Sequence, residues 1–138
     1  MPTVFIKNET GTVTAGNTSG INDGASFLLF ASEEYCKKND LVSNIEVVDY
    51  VSTGCNPQEM GLGPYYAIIK LLEKTKLNIN DIDFFEINEA FAAQILGCEK
   101  MLIDHYSLSS DFFDKKCKKI FYFICCVIYC ICCVFYMI

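Results

Sequence analysis

Apolar and polar positions from residue 40 onward follow the order strand, helix, strand, helix. The predicted elements are a strand at 44–53, a helix at 65–76, a strand at 84–88 and a helix at 89–102. Pro64 suits the first turn of the first helix, whose apolar positions recur on one side at helical spacing: Ile68, Leu71, Leu72 and Thr75. This alternation predicts an α/β fold with helices layered on a mostly parallel sheet.

The first forty residues contain shorter elements around a loop rich in small and polar residues. "TVFI" and "ASFLLFA" are apolar runs that predict strands, and the Gly-, Asn-, Ser- and Thr-rich stretch between them predicts an ordered loop. Ser32 is a good N-cap, because its hydroxyl can accept from a free backbone N–H and two glutamates follow it. We expect a short helix from there to about Asn39.

Composition and the first residues argue against nucleic-acid binding, a secretory signal, a disulfide framework and a metal site. The net charge of −6 comes from scattered carboxylates, and all eleven basic residues are Lys without a basic stripe, so we expect no nucleic-acid partner. The first residues, "MPTVFIKNETGTV", lack the pattern of a secretory signal. Nine Cys make an odd number and five lie in the last fourteen residues without His or charged neighbours, so neither a disulfide framework nor a metal site is expected.

The sequence changes character after residue 103. Residues 104–119 form a polar, Lys-rich stretch, which composition predicts to be a linker, and residues 120–138 contain no charged residue. Nineteen residues in a helix would reach about 28 Å, close to the thickness of a bilayer core, so one interpretation is a membrane anchor. The other interpretation is translated T-rich noncoding sequence, because all these residue types have T-rich codons. Localisation therefore stays open between the cytoplasm and a membrane.

Three stretches, "GTVTAGNTSGINDGASFLLF", "MGLGP" and "INEAFAAQ", resemble in this order the thiolase family, the acetyl-CoA C-acyltransferases. The resemblance covers residues 2–103. It implies that residues 1–39 are the end of an N-terminal domain with a CoA loop, and that residues 40–103 are the start of a C-terminal domain. The expected fold is thus an incomplete thiolase-like α/β fold followed by an apolar C-terminal tail.

The resemblance also implies a reaction and a set of site residues. Thiolases cleave a 3-ketoacyl-CoA with free CoA, or condense two acyl-CoA molecules, through an acyl-thioester on a nucleophilic Cys; coenzyme A is a substrate, and no covalently bound cofactor is expected. Asn88 matches the residue that orients a water in an oxyanion hole, with a helix cap as the alternative. The expected CoA- and substrate-binding residues are Ala15, Gly16, Ser19, Met60 and Phe91. Glu89 is expected to be structural, and packing is the alternative for Met60 and Phe91.

Other catalytic parts of the family are absent from these residues. The family's nucleophilic Cys lies upstream of the matching segment, and neither a Gly-His-Pro nor a Cys-x-Gly-Gly motif follows residue 103. We expect Cys36, Cys55 and Cys98 to be unreactive and His105 to lie at the surface. The leading hypothesis is a thiolase fragment that is inactive alone. The alternatives are a non-enzymatic tail-anchored protein with a thiolase-like interaction domain, and a chain that forms homo-oligomers or binds a full-length thiolase.

Overall fold

The computed structural model describes residues 1–25, 27–42, 45–116 and 132–137, the last range and residue 116 by backbone alone. In this part of the chain the sheet has two antiparallel strands, β1 (Val47–Thr53) and β2 (Cys132–Met137). The register pairs Val51 with Val134, and a bulge interrupts the pairing near Asp49. The predicted strand at 44–53 is therefore confirmed in its last seven residues.

Helix α1 (Glu33–Lys38) follows from the local signals at its two ends. The Ser32 hydroxyl accepts a hydrogen bond from the backbone N–H of Tyr35 at 3.1 Å, so the predicted N-cap is confirmed. Lys37 forms an ion pair with Glu33 one turn earlier. None of the residues of α1 is buried, so the helix owes its ends to capping rather than to packing.

Helix α2 (Gly63–Thr75) covers the sheet and the core with the side that the periodicity predicted. The buried residues of α2 include Ile68, Leu71 and Leu72. Lys74 also contacts β1, donating to the Asp49 carboxylate at 2.5 Å and to the Tyr50 carbonyl at 3.1 Å. This charge-assisted bond holds the pKa of Asp49 below its ordinary value. Apolar and ionic contacts thus fix α2 against β1.

Helix α3 (Ala92–Tyr106) closes the core from the other side. Cys98 and Leu102, one turn apart, are completely buried. The core cluster also contains residues from the segment between α2 and α3, which includes a 3-10 turn at Ile79–Asp81, and from α4 (Phe112–Lys116): Ile79, Ile82, Phe85, Phe112 and Phe113. Thus the described part of the predicted linker holds the end of α3 and the two buried aromatic residues of α4.

Three of the strands predicted from apolar runs are not seen among the described residues. Residues 84–88 and the described residues of 25–31 lie outside every helix and strand, and the "TVFI" run contributes only an isolated bridge between Thr3 and Thr14. The expected parallel sheet is likewise not seen among the described residues, where β1 and β2 are antiparallel. A strand requires a neighbour that accepts and donates its backbone hydrogen bonds, and composition cannot supply one.

The apolar tail is only partly described. Residues 120–131 and 138 fall outside the described part of the chain, and so does most of the predicted membrane anchor; its residues 132–137 form β2. Among the described helices, none has the length and apolar character needed to cross a bilayer. The described residues also contain no group of three or more His, Cys, Asp or Glu that could hold a metal ion.

Candidate functional site

The N-terminal loop is held in shape by its own polar side chains. Thr14 caps a single 3-10 turn, Ala15–Asn17, and its hydroxyl accepts from the N–H of Gly16 at 3.2 Å. The Asn17 side chain makes two hydrogen bonds to the backbone of the loop: it accepts from the N–H of Thr14 at 2.7 Å and donates to the carbonyl of Thr12 at 2.9 Å. Such reciprocal capping defines the backbone locally. Ala15 and Gly16 therefore lie in an ordered turn.

This loop is docked on the segment that precedes α3. The N–H of Ser19 donates to the carbonyl of Ala90 at 3.0 Å, and the Ser19 hydroxyl approaches the same oxygen at 3.4 Å. Thr18 and Phe91 form an antiparallel bridge, and the ring of Phe91 meets the ring of Phe5 edge to face with centroids 5.5 Å apart. Residues more than seventy positions apart are thus joined by backbone pairing and an aromatic contact.

A shallow recess opens where the two segments meet. It has a volume of about 240 Å³ and is lined by Gly16, Asn17, Thr18, Ser19 and Glu89. Asn88 is exposed beside Glu89. Because α3 begins at Ala92 with Phe91 as its N-cap, Asn88 lies three residues before the cap, and the helix-cap alternative for this amide is wrong.

Met60 lies on a second loop, outside the lining of the recess. The loop is a 3-10 segment, Pro57–Leu62, in which the Asn56 side chain accepts from the N–H of Gln58 at 3.1 Å. Met60 is more than half exposed, so packing in the core does not explain it. In this loop Glu59 accepts a hydrogen bond from the Tyr66 hydroxyl at 3.0 Å, which raises the pKa of Tyr66.

Helix α3 connects this second loop to the recess. The thiol of Cys98 is 3.5 Å from the carbonyl of Gly61, and Gly97 lies so close to Leu62 that a Cβ added there would be 3.2 Å from its methyl group. The N-terminal end of α3 meanwhile continues directly from Phe91. The same helix therefore contacts the Met60 loop and carries the segment that binds the N-terminal loop.

The remaining thiols and the imidazole differ in their surroundings. Cys98 is buried, whereas Cys36 and Cys55 are partly exposed. His105 is exposed as expected, and its Nδ1 lies 3.3 Å from the Tyr65 hydroxyl in a contact between α2 and α3. These positions are consistent with packing roles.

The recess is also lined by three residues that the sequence pattern does not assign to the site: Asn17, Thr18 and Glu89. The Thr14-x-x-Asn17 spacing is a capping pattern next to Gly16 and could have indicated the two loop residues. Glu89 could have been inferred from its position between Asn88 and the paired residues.

Comparison with known families matches both parts of the chain. The family model for the thiolase C-terminal domain matches residues 41–109, and the one for the thiolase N-terminal domain matches residues 1–34. The mitochondrial 3-ketoacyl-CoA thiolase of Bos taurus is 48% identical over 102 residues, which are 74% of this chain and 25% of the bovine protein. The mitochondrial 3-ketoacyl-CoA thiolase of Homo sapiens is 46% identical over the same length.

Solved thiolase structures give the same result. Human mitochondrial 3-ketoacyl-CoA thiolase superposes with a TM-score of 0.69 at 44% identity, covering 80% of this chain and 26% of the human chain; a structure of it in complex with CoA matches equally. The dimeric peroxisomal thiolase of Saccharomyces cerevisiae superposes with a TM-score of 0.67 at 42% identity, covering 79% of this chain and 26% of its own.

The fold is a partial thiolase-like α/β fold. The chain belongs to the thiolase family and spans about a quarter of the length of the curated relatives that it matches.

Proposed function

We propose that the chain supplies part of the acyl-CoA site of a thiolase-type acyltransferase, which thiolyses a 3-ketoacyl-CoA or condenses two acyl-CoA molecules. Residues 1–39 are the end of its N-terminal domain and residues 40–103 the start of its C-terminal domain. The family matches at 1–34 and 41–109 support this division. Coenzyme A and its acyl thioesters are substrates here, as the CoA complex of the human relative suggests.

The observation that carries the proposal is the pairing of the N-terminal loop with the Asn88 segment. The hydrogen bond from Ser19 to Ala90 and the Thr18–Phe91 bridge join the N-terminal loop to the residues that follow Asn88, which supports a shared role of the two segments in one site. In the proposed site the exposed Asn88 amide orients a water that donates to the developing oxyanion. Gly16 and Ser19 lie along the pantetheine arm of CoA.

Two apolar side chains complete the proposed binding surface. Phe91 offers a flat ring next to the paired backbone, and the exposed thioether of Met60 can follow the shape of an acyl chain. Both are held by α3, which begins beside Phe91 and touches the Met60 loop through Cys98. Their separation is therefore fixed by a rigid element.

The chemistry requires groups that the family carries in a segment and in motifs that are absent from these 138 residues. Thiolysis needs a thiolate that attacks the keto carbon, a base that removes the thiol proton, and an acid that protonates the acetyl-CoA carbanion released when the C–C bond breaks. In the family these are a Cys, the His of Gly-His-Pro and the Cys of Cys-x-Gly-Gly. We therefore propose that the chain alone does not turn over. We also propose that it associates with a full-length thiolase, which contains these groups, or with further copies of itself, which would not supply them.

The test uses both the chain and a chimera. The 138-residue chain is expected to show no thiolysis of a 3-ketoacyl-CoA. A chimera in which residues 2–103 replace the aligned segment of bovine mitochondrial 3-ketoacyl-CoA thiolase should be active, and Asn88→Ala should lower its kcat by about 10²- to 10³-fold. Glu86→Gln, at an exposed carboxylate two residues away, is the matched control and should leave kcat unchanged.

Two results would contradict the proposal. One is an Asn88→Ala chimera with the kcat of its parent, because the amide would then have no part in the reaction. The other is turnover by the 138-residue chain alone that Asn88→Ala abolishes, because the chain would then contain a complete site.

A further inference from the structure

Asp23 is the only Asp or Asn in the sequence that is followed directly by Gly. In such a pair the backbone nitrogen of the Gly can reach the side-chain carboxyl of the Asp, and Gly has no Cβ to obstruct the approach. In a folded protein the two groups meet only if the backbone between them is free to turn. The surroundings of Asp23 and Gly24 therefore decide whether the pair reacts.

Asp23 and Gly24 lie in a segment that carries no backbone pairing. Both residues are exposed and lie outside every helix and strand. Among the described residues, no hydrogen bond involves the Asp23 carboxylate or the backbone of residues 21–25. An exposed segment without backbone hydrogen bonds changes conformation at little cost in free energy. The Asp23 side chain is therefore free to approach the Gly24 nitrogen.

Other amides and carboxylates in loops of the chain are more restrained. Asn17 uses both ends of its side chain in hydrogen bonds to the loop backbone. Asn22 donates to a backbone carbonyl at 3.2 Å and is followed by Asp rather than Gly. The Asp81 carboxylate accepts from the N–H of Asn78 at 2.9 Å. Asp23 thus combines an unrestrained carboxyl with an unobstructed backbone nitrogen.

We propose that Asp23–Gly24 is a self-modification site, at which Asp23 converts to isoaspartate through a cyclic succinimide. The Gly24 nitrogen attacks the Cγ of the protonated Asp23 carboxyl, an N–Cγ bond forms, and the carboxyl hydroxyl leaves as water with the amide proton. Water then adds to one carbonyl of the ring. Cleavage of the N–Cγ bond restores Asp23, whereas cleavage of the bond between the nitrogen and the α-carbonyl carbon gives isoaspartate. The water lost in the first step is regained in the second, so the conversion needs no other reactant.

The modification changes the backbone near the docked loop. In isoaspartate the main chain runs through Cβ and Cγ, so it is longer by one methylene group, and the former α-carboxyl becomes a free carboxylate. Asp23 lies four residues after Ser19, whose N–H is bonded to the carbonyl of Ala90. The extra methylene therefore enters the chain close to this contact. The inference goes beyond the proposed function, because the reaction involves neither acyl-CoA nor a residue assigned to its site.

The experiment follows the modification in the 138-residue chain. The chain is incubated at physiological temperature and mildly acidic pH, and cleavage after Lys then releases residues 8–37 as one peptide. Electron-transfer fragmentation distinguishes isoaspartate from Asp at residue 23, and a sample digested at time zero corrects for isomerisation during digestion. We expect isoaspartate to accumulate without a change in mass, preceded by a succinimide that is lighter by one water.

The same chain unfolded in guanidinium chloride provides the reference rate. Because the segment is unpaired in the folded chain, we expect the folded rate to lie within about tenfold of the unfolded rate. This comparison separates a reaction that the fold permits from one that occurs only after unfolding.

Gly24→Ala tests the chemistry without disturbing the fold. The φ of Gly24 is not positive, and a Cβ added there meets nothing within 4 Å. The methyl group crowds the attacking nitrogen, so the variant should slow the accumulation of isoaspartate by at least about fivefold. Gly54→Ala is the matched control, because Gly54 has equally open surroundings but follows Thr53, and it should change the rate by less than about 1.5-fold. Circular dichroism checks that both variants retain their helices.

Four outcomes would overturn the proposal. They are the absence of isoaspartate at residue 23, a folded rate more than about tenfold below the unfolded rate, a Gly24→Ala variant that is slowed no more than Gly54→Ala, and conversion of Asn22 alone. Conversion of Asn22 is recognised by its increase in mass, because a carboxyl group replaces the amide.

Discussion

Replacing Leu102 by Ala removes the centre of the contact between α3 and the rest of the core. Leu102 is completely buried and belongs to the same cluster as Cys98, one turn before it, and Phe85. The side chain loses about three methylene equivalents, worth roughly 2.4 kcal/mol at about 0.8 kcal/mol each. A cavity lined by helix side chains and aromatic rings adds to this cost, so the free energy of unfolding should fall by about 3–5 kcal/mol.

The free energy lost on Leu102→Ala is a large part of the total free energy of unfolding. At about 0.05–0.15 kcal/mol per residue, the 69 residues matched to the C-terminal domain have a free energy of unfolding of roughly 3–10 kcal/mol. With a urea dependence of about 1–1.5 kcal/mol per M, Leu102→Ala should lower the unfolding midpoint by about 2–5 M. Circular dichroism at the helix band measures this midpoint in the 138-residue chain.

Leu96 is the matched control for this substitution. It lies on the same helix and is 64% exposed, so Leu96→Ala should change the free energy of unfolding by less than about 0.5 kcal/mol. The reasoning is refuted if both variants lower the midpoint equally, or if Leu102→Ala costs less than about 1 kcal/mol.

Two further predictions concern local contacts. The hydrogen bond from Lys74 lowers the pKa of Asp49 in the folded state. The ionised Asp49 carboxylate therefore stabilises the fold above its unfolded-state pKa, and this stabilisation is lost as the pH falls through its folded-state pKa. The difference in urea midpoint between the parent chain and Asp49→Asn should therefore be measurable at pH 6 and disappear at strongly acidic pH; a constant difference would contradict this. Gly11→Ala should open the N-terminal loop, because the added methyl group would collide with a backbone carbonyl, and the Val4 amide should exchange faster. Gly24→Ala, where a methyl group meets nothing within 4 Å, should leave that exchange rate unchanged.

The helices could be predicted from sequence because their signals are local. Ser32 accepts from a backbone N–H only three residues away, Pro64 lies at the first turn of α2, and the apolar side of α2 follows from helical spacing. Each of these signals acts within one or two turns. The resemblance to thiolases, carried by three motifs, then gave the fold class that the comparisons confirm.

The pairing of Thr18 with Phe91 could not be predicted in this way. Residues 73 positions apart meet because the chain returns on itself, and no local propensity encodes that return. The apolar runs at 25–31 and 84–88 indicated strands, but forming one depends on a neighbour that the same run cannot specify. Phe112 is buried although its surroundings are polar in composition, because composition averages over a window while packing selects single side chains.

The position of α3 between the two loops has a consequence for insertions and deletions. One residue added between Ala92 and Gly97 would advance Cys98 by about 1.5 Å and turn it through about 100° around the helix axis. The thiol would leave the Gly61 carbonyl and the Met60 loop would lose its support, while the pairing at Phe91 stayed intact. The number of residues in this segment of α3 therefore sets the spacing between the two loops of the site. Insertions and deletions should be better tolerated after Tyr106, in the turn that leads to α4.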